Sequence, residues 1–233
     1  MKKIEYLAWD SEFFNKKIGR IIVGNSENIV NILEEAKKED YQLIYAFGNE
    51  DFYVKKEILQ QYNGKLVDEK LLYYKLISEP YPFLEQIEDY TDTLTEELEN
   101  LAYISGEFSR FKSDKNFAED DFYRMYKIWI EKSLDRKIAD YVFVAKESEQ
   151  LQGMVTLKIF EKTGHIGLIA VSPETQRKGY GKILIKACEN ELFAKDIFQL
   201  EVPTQKDNTQ ACKFYEKYGF KIKEITNIYH FWL

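Results

Sequence analysis

Apolar and polar positions follow two periods along this chain, and the order of those periods predicts the elements. "IGRIIVG" (18–24) is a short apolar run ending in glycine. Behind it Ile29, Val30, Leu33 and Ala36 recur at helical spacing, with Ser26 placed to cap the helix. "YQLIYAFG" (41–48) reads as a buried strand, "DFYVKKEILQQYN" as a helix closed by Gly64, and "LVDEKLLYYKLI" as a further strand. "SEPYPFLEQIEDYTD" (78–92), with Pro80 and Pro82, predicts a linker. It separates a small α/β N-terminal domain, 1–85, from a larger one, 86–233.

In the larger part, Thr93 and Glu96 have capping-box spacing and open a helix to about Ser105. "SGEFSRFKSDKNF" (105–117) has no periodicity and reads as a loop, whereas Phe122, Tyr126, Trp129 and Ile130 share one face of the next helix. "ADYVFVAKE", "GMVTLKIFE" and "HIGLIAVS" are joined by short turns and predict an antiparallel meander. The pattern then changes. A loop, "PETQRKGYG", leads into a helix carrying Leu184, Cys188 and Leu192. "IFQLEVPT" (197–204) is a strand, and Ala211, Phe214, Tyr215 and Tyr218 line a helix that ends at Gly219. "FKIKEI" and "NIYHFWL" predict a closing hairpin. The fold class is α+β: a mixed, mostly antiparallel central sheet flanked by helices, with a smaller α/β N-terminal domain.

Composition narrows the function. The 233 residues are 45% hydrophobic and 15% aromatic, enough for a sizeable core. A formal charge of −7 argues against nucleic acid and against an anionic membrane surface as partners. No window approaches the roughly 20 apolar residues of a membrane span, and the opening residues lack the apolar run of a signal peptide. Two cysteines, Cys188 and Cys212, form no disulfide framework, and two histidines, His165 and His230, form no metal cluster. The expectation is a cytoplasmic protein with reduced thiols and no metal.

The most informative stretch is "QRKGYGK" (176–182). A strand delivers the chain to it, Gly179 and Gly181 relieve crowding, and a helix starts at once. First-turn amides of a helix have no internal partner and favour an anion, and Arg177, Lys178 and Lys182 add positive charge. The spacing is neither that of a Walker loop nor that of a dinucleotide fingerprint. Taken alone, a G-x-G reads as a tight strand-to-helix turn before it reads as a phosphate cradle.

Its neighbours decide between the two. "QRKGYGK", followed by "LEVPTQKDN" and by "NTQACKFYEKYGF" (208–220), resembles the Q/R-x-x-G-x-G/A and N-x-x-A-x-x-F-Y-E-K-x-G-F motifs of the GNAT superfamily of N-acetyltransferases, over roughly residues 93–233. The resemblance implies an acetyl-CoA co-substrate. Its pyrophosphate would lie on the backbone of Gln176, Arg177, Lys178, Gly179, Tyr180, Gly181 and Lys182, and its pantetheine along Leu168, Ile169, Ala170 and Val171, where that strand splays from 197–204. Asn208 would meet the pantetheine arm or simply cap its helix. Tyr215 is implied as the general acid for the departing thiolate, although it also belongs to an apolar stripe. His165, Glu201, His230 and a water chain remain open as the base.

The acceptor is read from the other half. "LAWDSEFFNKKIGRI" (7–21), "SRFKSDKNF" and the ending "IYHFWL" look like the TDP-fucosamine acetyltransferase type, which implies the amine of a dTDP-linked 4-amino-4,6-dideoxy sugar. Arg110 and Lys112 would meet a diphosphate and Phe111 a base or sugar; a surface ion pair and a core anchor are the plain alternatives. In "WDSEFF", Trp9 and Phe14 are expected to pack the N-terminal unit and Asp10 and Ser11 to set a turn. Two other functions fit the same fold: acetylation of a peptide, protein or other small-molecule amine, and non-catalytic acyl-CoA binding. A homodimer through residues 222–233 is a further possibility.

Overall fold

A computed structural model describes residues 4–24, 28–82 and 85–233. They form two units. Unit 1 comprises residues up to Leu71 together with Gln205–Asp207 and Glu224–Leu233; unit 2 comprises Leu72–Thr204 and Asn208–Lys223.

Unit 1 starts with β1 (Glu5–Tyr6), α1 (Ala8–Phe14), β2 (Ile18–Ile22), α2 (Ile29–Lys38), β3 (Leu43–Asn49) and α3 (Lys56–Gln61). It also holds the first half of β4 (Gly64–Leu76). β2 pairs antiparallel with β1 and parallel with β3. Ile29, Ile32, Leu33 and Ala36 of α2 are buried with Ile21, Ile44, Tyr62 and Phe231 in one apolar cluster. Ile29, Leu33 and Ala36 are therefore on the core face as expected, while Ile32 is buried and Val30 only partly so; each fully buried aliphatic side chain contributes roughly 1.5–3 kcal/mol. Asn28 caps α2 by accepting the Val30 N–H at 3.1 Å; Ser26, the expected cap, lies outside the described residues. "WDSEFF" is a short helix, and Ser11 acts as expected of its side chain, with Oγ accepting the Ile18 N–H at 3.0 Å.

Unit 2 continues with β5 (Ile87–Asp89), α4 (Glu96–Ser105), α5 (Arg110–Ser113), α6 (Glu119–Leu134), β6 (Tyr141–Glu147), β7 (Gln150–Phe160) and β8 (Thr163–Val171). It then runs through α7 (Tyr180–Phe193), β9 (Gln199–Gln205) and α8 (Thr209–Lys217). β5, β6, β7 and β8 form the expected antiparallel succession, and β8 meets β9 in parallel. The sheet is mixed and mostly antiparallel. α4 packs on β8 and β7, and α7 packs on β6, β7 and β8.

Four local expectations change. The segment 78–92 is not purely a linker, because Ile87–Asp89 adds an edge strand to β6. Thr95, not Thr93, caps α4, accepting the Leu98 N–H at 3.3 Å. The loop at 105–117 contains α5, nucleated by Ser109, whose Oγ accepts the Phe111 N–H at 3.3 Å. The closing hairpin is one strand, β10 (Lys221–Trp232). Thr226, the residue between the two expected strands, stays in the ladder opposite Asn49, and the neighbouring Asn227 side chain donates to the Glu50 and Phe52 carbonyls.

Thr226–Trp232 of β10 pair antiparallel with Asn49–Leu43 of β3, and β10 lies between β3 and β4. That strand's pairing groups are used inside the chain, so the edge invoked for a dimer at 222–233 is not free. The two units part between Leu71 and Leu72, within β4, and not at residue 85. A linear reading places a boundary where turn residues cluster and cannot see a distant strand rejoin the first unit.

Candidate functional site

The site begins with an irregularity in β8. Val155 pairs with Ile169 and Leu157 with Ile166, so Thr156 faces both Gly167 and Leu168. This is a β-bulge with its extra residue on β8, which bends and twists the strand. Thr156 fills it: its Oγ1 accepts the Leu168 N–H at 2.8 Å, and a Cβ on Gly167 would lie 2.9 Å from the same oxygen. The bulge also shifts side-chain parity. A Cβ on Gly164 would run into Leu192 of α7, and Val171, seven residues on, also points at α7, 3.7 Å from where a Gly181 Cβ would stand. Strict alternation would put residues an odd number apart on opposite faces.

Beyond the bulge β8 loses β9. The parallel pairing is Gly164 with Leu200 and His165 with Glu201, and it stops there. Ser172 N–H donates to the Gln152 carbonyl, and Leu168 N–H is turned to Thr156. By alternation the main-chain groups of Ile169 and Val171 face away from β7, into the gap that β9 has left. Leu168 and Ala170 are buried, whereas Ile169 and Val171 are half-buried. The result is a gap between β8 and β9 into which the main-chain groups of Ile169 and Val171 are turned.

The chain leads from this gap to α7. A 3₁₀ turn, Pro173–Thr175, is tied back by Thr175 Oγ1 to the Ser172 and Gln152 carbonyls. Arg177 and Gly179 follow with φ of 66° and 99°, and Gly179 is the N-cap of α7. A Cβ on Gly179 would meet nothing within 4 Å, so the N-cap position itself is open. Arg177, Lys178 and Lys182 are exposed beside it. Tyr180 is buried and its hydroxyl donates to Glu147 Oε2 at 2.9 Å, so this side chain anchors the helix and presents only its backbone to the loop. Gln210 Nε2 donates to Gln176 Oε1 at 3.2 Å, linking the loop to α8.

On α8, Asn208 Oδ1 accepts the Ala211 N–H at 3.1 Å and caps the helix. Tyr215 is 3% exposed, with its ring 5.6 Å from Tyr73, 5.3 Å from Phe214 and 5.5 Å from Phe220. Burial, and secondarily Cys212, pushes its phenol well above the usual tyrosine range. The group is a neutral hydroxyl at any physiological pH, able to donate a proton. Tyr73, fully buried on β4, donates to Glu216 Oε1 at 2.9 Å while its ring packs on Tyr215.

Arg110, Phe111 and Lys112 lie on α5 against α6. Phe111 is buried between Phe117 and Trp129, which makes it a core anchor. The Arg110 guanidinium lies 4.6 Å from the Phe111 ring, and Lys112 Nζ pairs with Glu107 at 2.5 Å. His230 is fully buried in β10 against Tyr45, in unit 1. Thr156 and Tyr73 carry no local motif; only the register of β8 and the approach of β4 to α8 give them a place. Among the described residues no group of three or more His, Cys, Asp or Glu could hold a metal ion, and no helix is long and apolar enough to cross a membrane.

The parting of β8 and β9 and the helix N-terminus opened by Gly179 thus stand next to each other in the chain. The acetyltransferase (GNAT) family model matches residues 73–220, and the chain belongs to that family: it is an acyltransferase. No curated protein matches the chain. Among solved structures, a GCN5-related N-acetyltransferase from Sphaerobacter thermophilus is similar at 13% identity and a TM-score of 0.60, covering 94% of this chain and 73% of that one. A functionally unknown conserved protein from Staphylococcus epidermidis is similar at 12% identity and a TM-score of 0.67, covering 100% and 92%. A tandem GNAT protein from the clavulanic acid biosynthesis pathway matches at 12% identity and a TM-score of 0.55, covering 91% and 74%.

Proposed function

We propose that the chain transfers an acetyl group from acetyl-CoA directly to the amine of a nucleotide-linked amino sugar of the dTDP-4-amino-4,6-dideoxyhexose type. The observation that carries the donor is the gap between β8 and β9, next in the chain to the N-terminus of α7 opened by Gly179. The first-turn amides of Tyr180, Gly181 and Lys182 would hold the pyrophosphate, with Arg177, Lys178 and Lys182 offsetting its charge. The main-chain groups of Ile169 and Val171 would pair with the pantetheine amides. Asn208 uses its oxygen for the cap, which leaves its amide nitrogen to donate to the same arm. Tyr215 would protonate the departing thiolate, because burial keeps its proton on.

The acceptor rests on the resemblance of residues 7–21 and of the "SRFK" segment to enzymes acting on such sugars, with Arg110 and Lys112 as diphosphate ligands. Thiol release from acetyl-CoA, measured with dTDP-amino sugars, polyamines and peptides, tests it. Turnover confined to the sugars is expected; silence on sugars with turnover on another amine overturns the acceptor. For Tyr215→Phe, kcat is expected to fall about 100-fold while acetyl-CoA affinity stays within about twofold. Turnover near wild type would remove Tyr215 from the mechanism.

A further inference from the structure

A carboxylate interrupts the apolar stripe of α7. Leu184, Ile185, Cys188 and Leu192 are buried there, and Glu189, one turn on from Ile185, is buried with them at 1% exposure. An ionised group in that position costs free energy unless it is paired. Its partner comes from outside both motifs. Lys75 of β4 places Nζ 2.6 Å from Glu189 Oε1, and Oε2 has no hydrogen-bond partner among the described residues. We propose that Lys75 is a positioning residue for donor binding, which holds α7 and α8 in fixed register; the proposal rests on acetyl-CoA lying against those two helices.

Lys75 touches both helices. Besides Glu189 of α7, its Nζ lies 4.1 Å from the centroid of Tyr218, the C-cap of α8, and 5.9 Å from that of Phe220. Tyr73, two residues back and so on the same face of β4, also meets α8. Its ring is 5.6 Å from Tyr215, and its hydroxyl donates to Glu216 Oε1 at 2.9 Å. One face of β4 thus holds α8 at Tyr215, Glu216 and Tyr218, and through Lys75 it holds α7 as well.

The contact between the two helices is the one that donor binding would depend on. Phe214 of α8 stands 3.4 Å from where a Cβ of Gly181 would lie, in the first turn of α7. Lys182, in the loop proposed to hold pyrophosphate, has its Nζ 5.9 Å from the centroid of the Tyr218 ring that Lys75 also meets. Asn208, proposed to meet the pantetheine arm, caps the same α8. A slide of α8 along α7 would therefore carry Asn208 away from the first-turn amides of Tyr180, Gly181 and Lys182, and two parts of one ligand could no longer be held together.

Stability alone gives little reason for this pair. Desolvation of two buried charges offsets much of their attraction, and an apolar pair of similar volume would fill the space at no loss. What the charged pair adds is direction. The ammonium has to meet a carboxylate oxygen and an aromatic ring at once, whereas methyl groups slide past one another without penalty.

The test uses the full chain and reads acetyl-CoA affinity by calorimetry, the midpoint in urea, and hydrogen exchange across α7 and α8. Lys75→Met leaves Glu189 unpaired; it is expected to lower the midpoint and to weaken acetyl-CoA binding about tenfold. In Lys75→Met/Glu189→Leu the midpoint is expected to return to wild type, while affinity stays low and the amides of α8 exchange faster. Tyr218→Leu keeps the ion pair and is expected to weaken binding by a similar factor. Combined with Lys75→Met, its effect should fall short of the product of the two single ones, because both act on one contact. Affinity that recovers along with the midpoint in Lys75→Met/Glu189→Leu overturns the proposal, since a purely structural pair behaves that way. Wild-type exchange in α8 of that variant, or unchanged affinity in Tyr218→Leu, overturns it too. If wild type binds no acetyl-CoA, the donor reading falls; faster α8 exchange in Lys75→Met/Glu189→Leu then still assigns Lys75 as the link between the helices, and unchanged exchange removes both.

Discussion

Gly179 shows how one residue can serve the backbone and a ligand at once. Its φ of 99° lies where L side chains are strained, and the space where its Cβ would stand is open. Gly179→Ala therefore meets no clash, only the backbone cost of about 1–2 kcal/mol for a left-handed alanine. We expect a drop of a few degrees in Tm, together with weakened acetyl-CoA binding as the first turn of α7 shifts. Calorimetry on the folded variant separates the two effects; unchanged affinity would place the anion elsewhere. The glycine pair was visible in the sequence. The buried phenol of Tyr215 was visible only as a type, because its exposure depends on Tyr73 of β4, which is far away along the chain.

The element that matters most is β8, and its shape depends on Thr156. The threonine hydroxyl satisfies an N–H that the bulge would otherwise orphan. Thr156→Val keeps the volume and removes the acceptor. It is expected to cost about 1–3 kcal/mol, read as a lower midpoint in urea, and to raise the KM for acetyl-CoA because β8 loses its bend. A variant with a wild-type midpoint and KM would show that the bulge holds without this bond. Hydrophobic period named β6, β7 and β8 correctly, since each is an ordinary strand bounded by turns. It could not show the bulge: "HIGLIAVS" has no residue pattern distinguishing a bent strand from a straight one. The same limit explains α5, whose four residues are too few for a period to register, and β10, where the break expected at Thr226 is closed by pairing with Asn49 of a distant strand.

At the scale of the whole molecule, burial and ion pairing set the pH range of stability. The Lys127 ammonium holds Glu99 below the usual carboxylate range. Asp140 is also lowered: burial acts in the opposite direction, but the Lys158 and Ile159 bonds outweigh it. Both contribute stability that is present above their unfolded values and is lost as pH falls through the folded ones. Tyr73, Tyr215 and Tyr218 are raised above the ordinary value of 10.0, chiefly by burial. Their contribution is complete below that value and is lost as pH rises, because only the unfolded chain ionises there. Thermal unfolding should show a plateau near neutrality, a fall below about pH 4 and a second fall above about pH 10. A Tm still constant at the alkaline end would mean these phenols are reached by solvent.

The sequence by itself determined the α+β class, the order of strands and helices in unit 2, and the two motifs around α7 and α8. Those are local properties, carried by side-chain period, glycine spacing and capping residues within a few turns of each other. Tertiary structure alone decided where unit 1 ends, because Glu224–Leu233 return to it from the far end of the chain. It alone also decided that β8 bends away from β9 just after His165 and Glu201, since strand divergence is a property of paired backbones. The type and order of the site residues can be read along the chain, whereas their faces and neighbours come from burial and pairing between segments far apart in it.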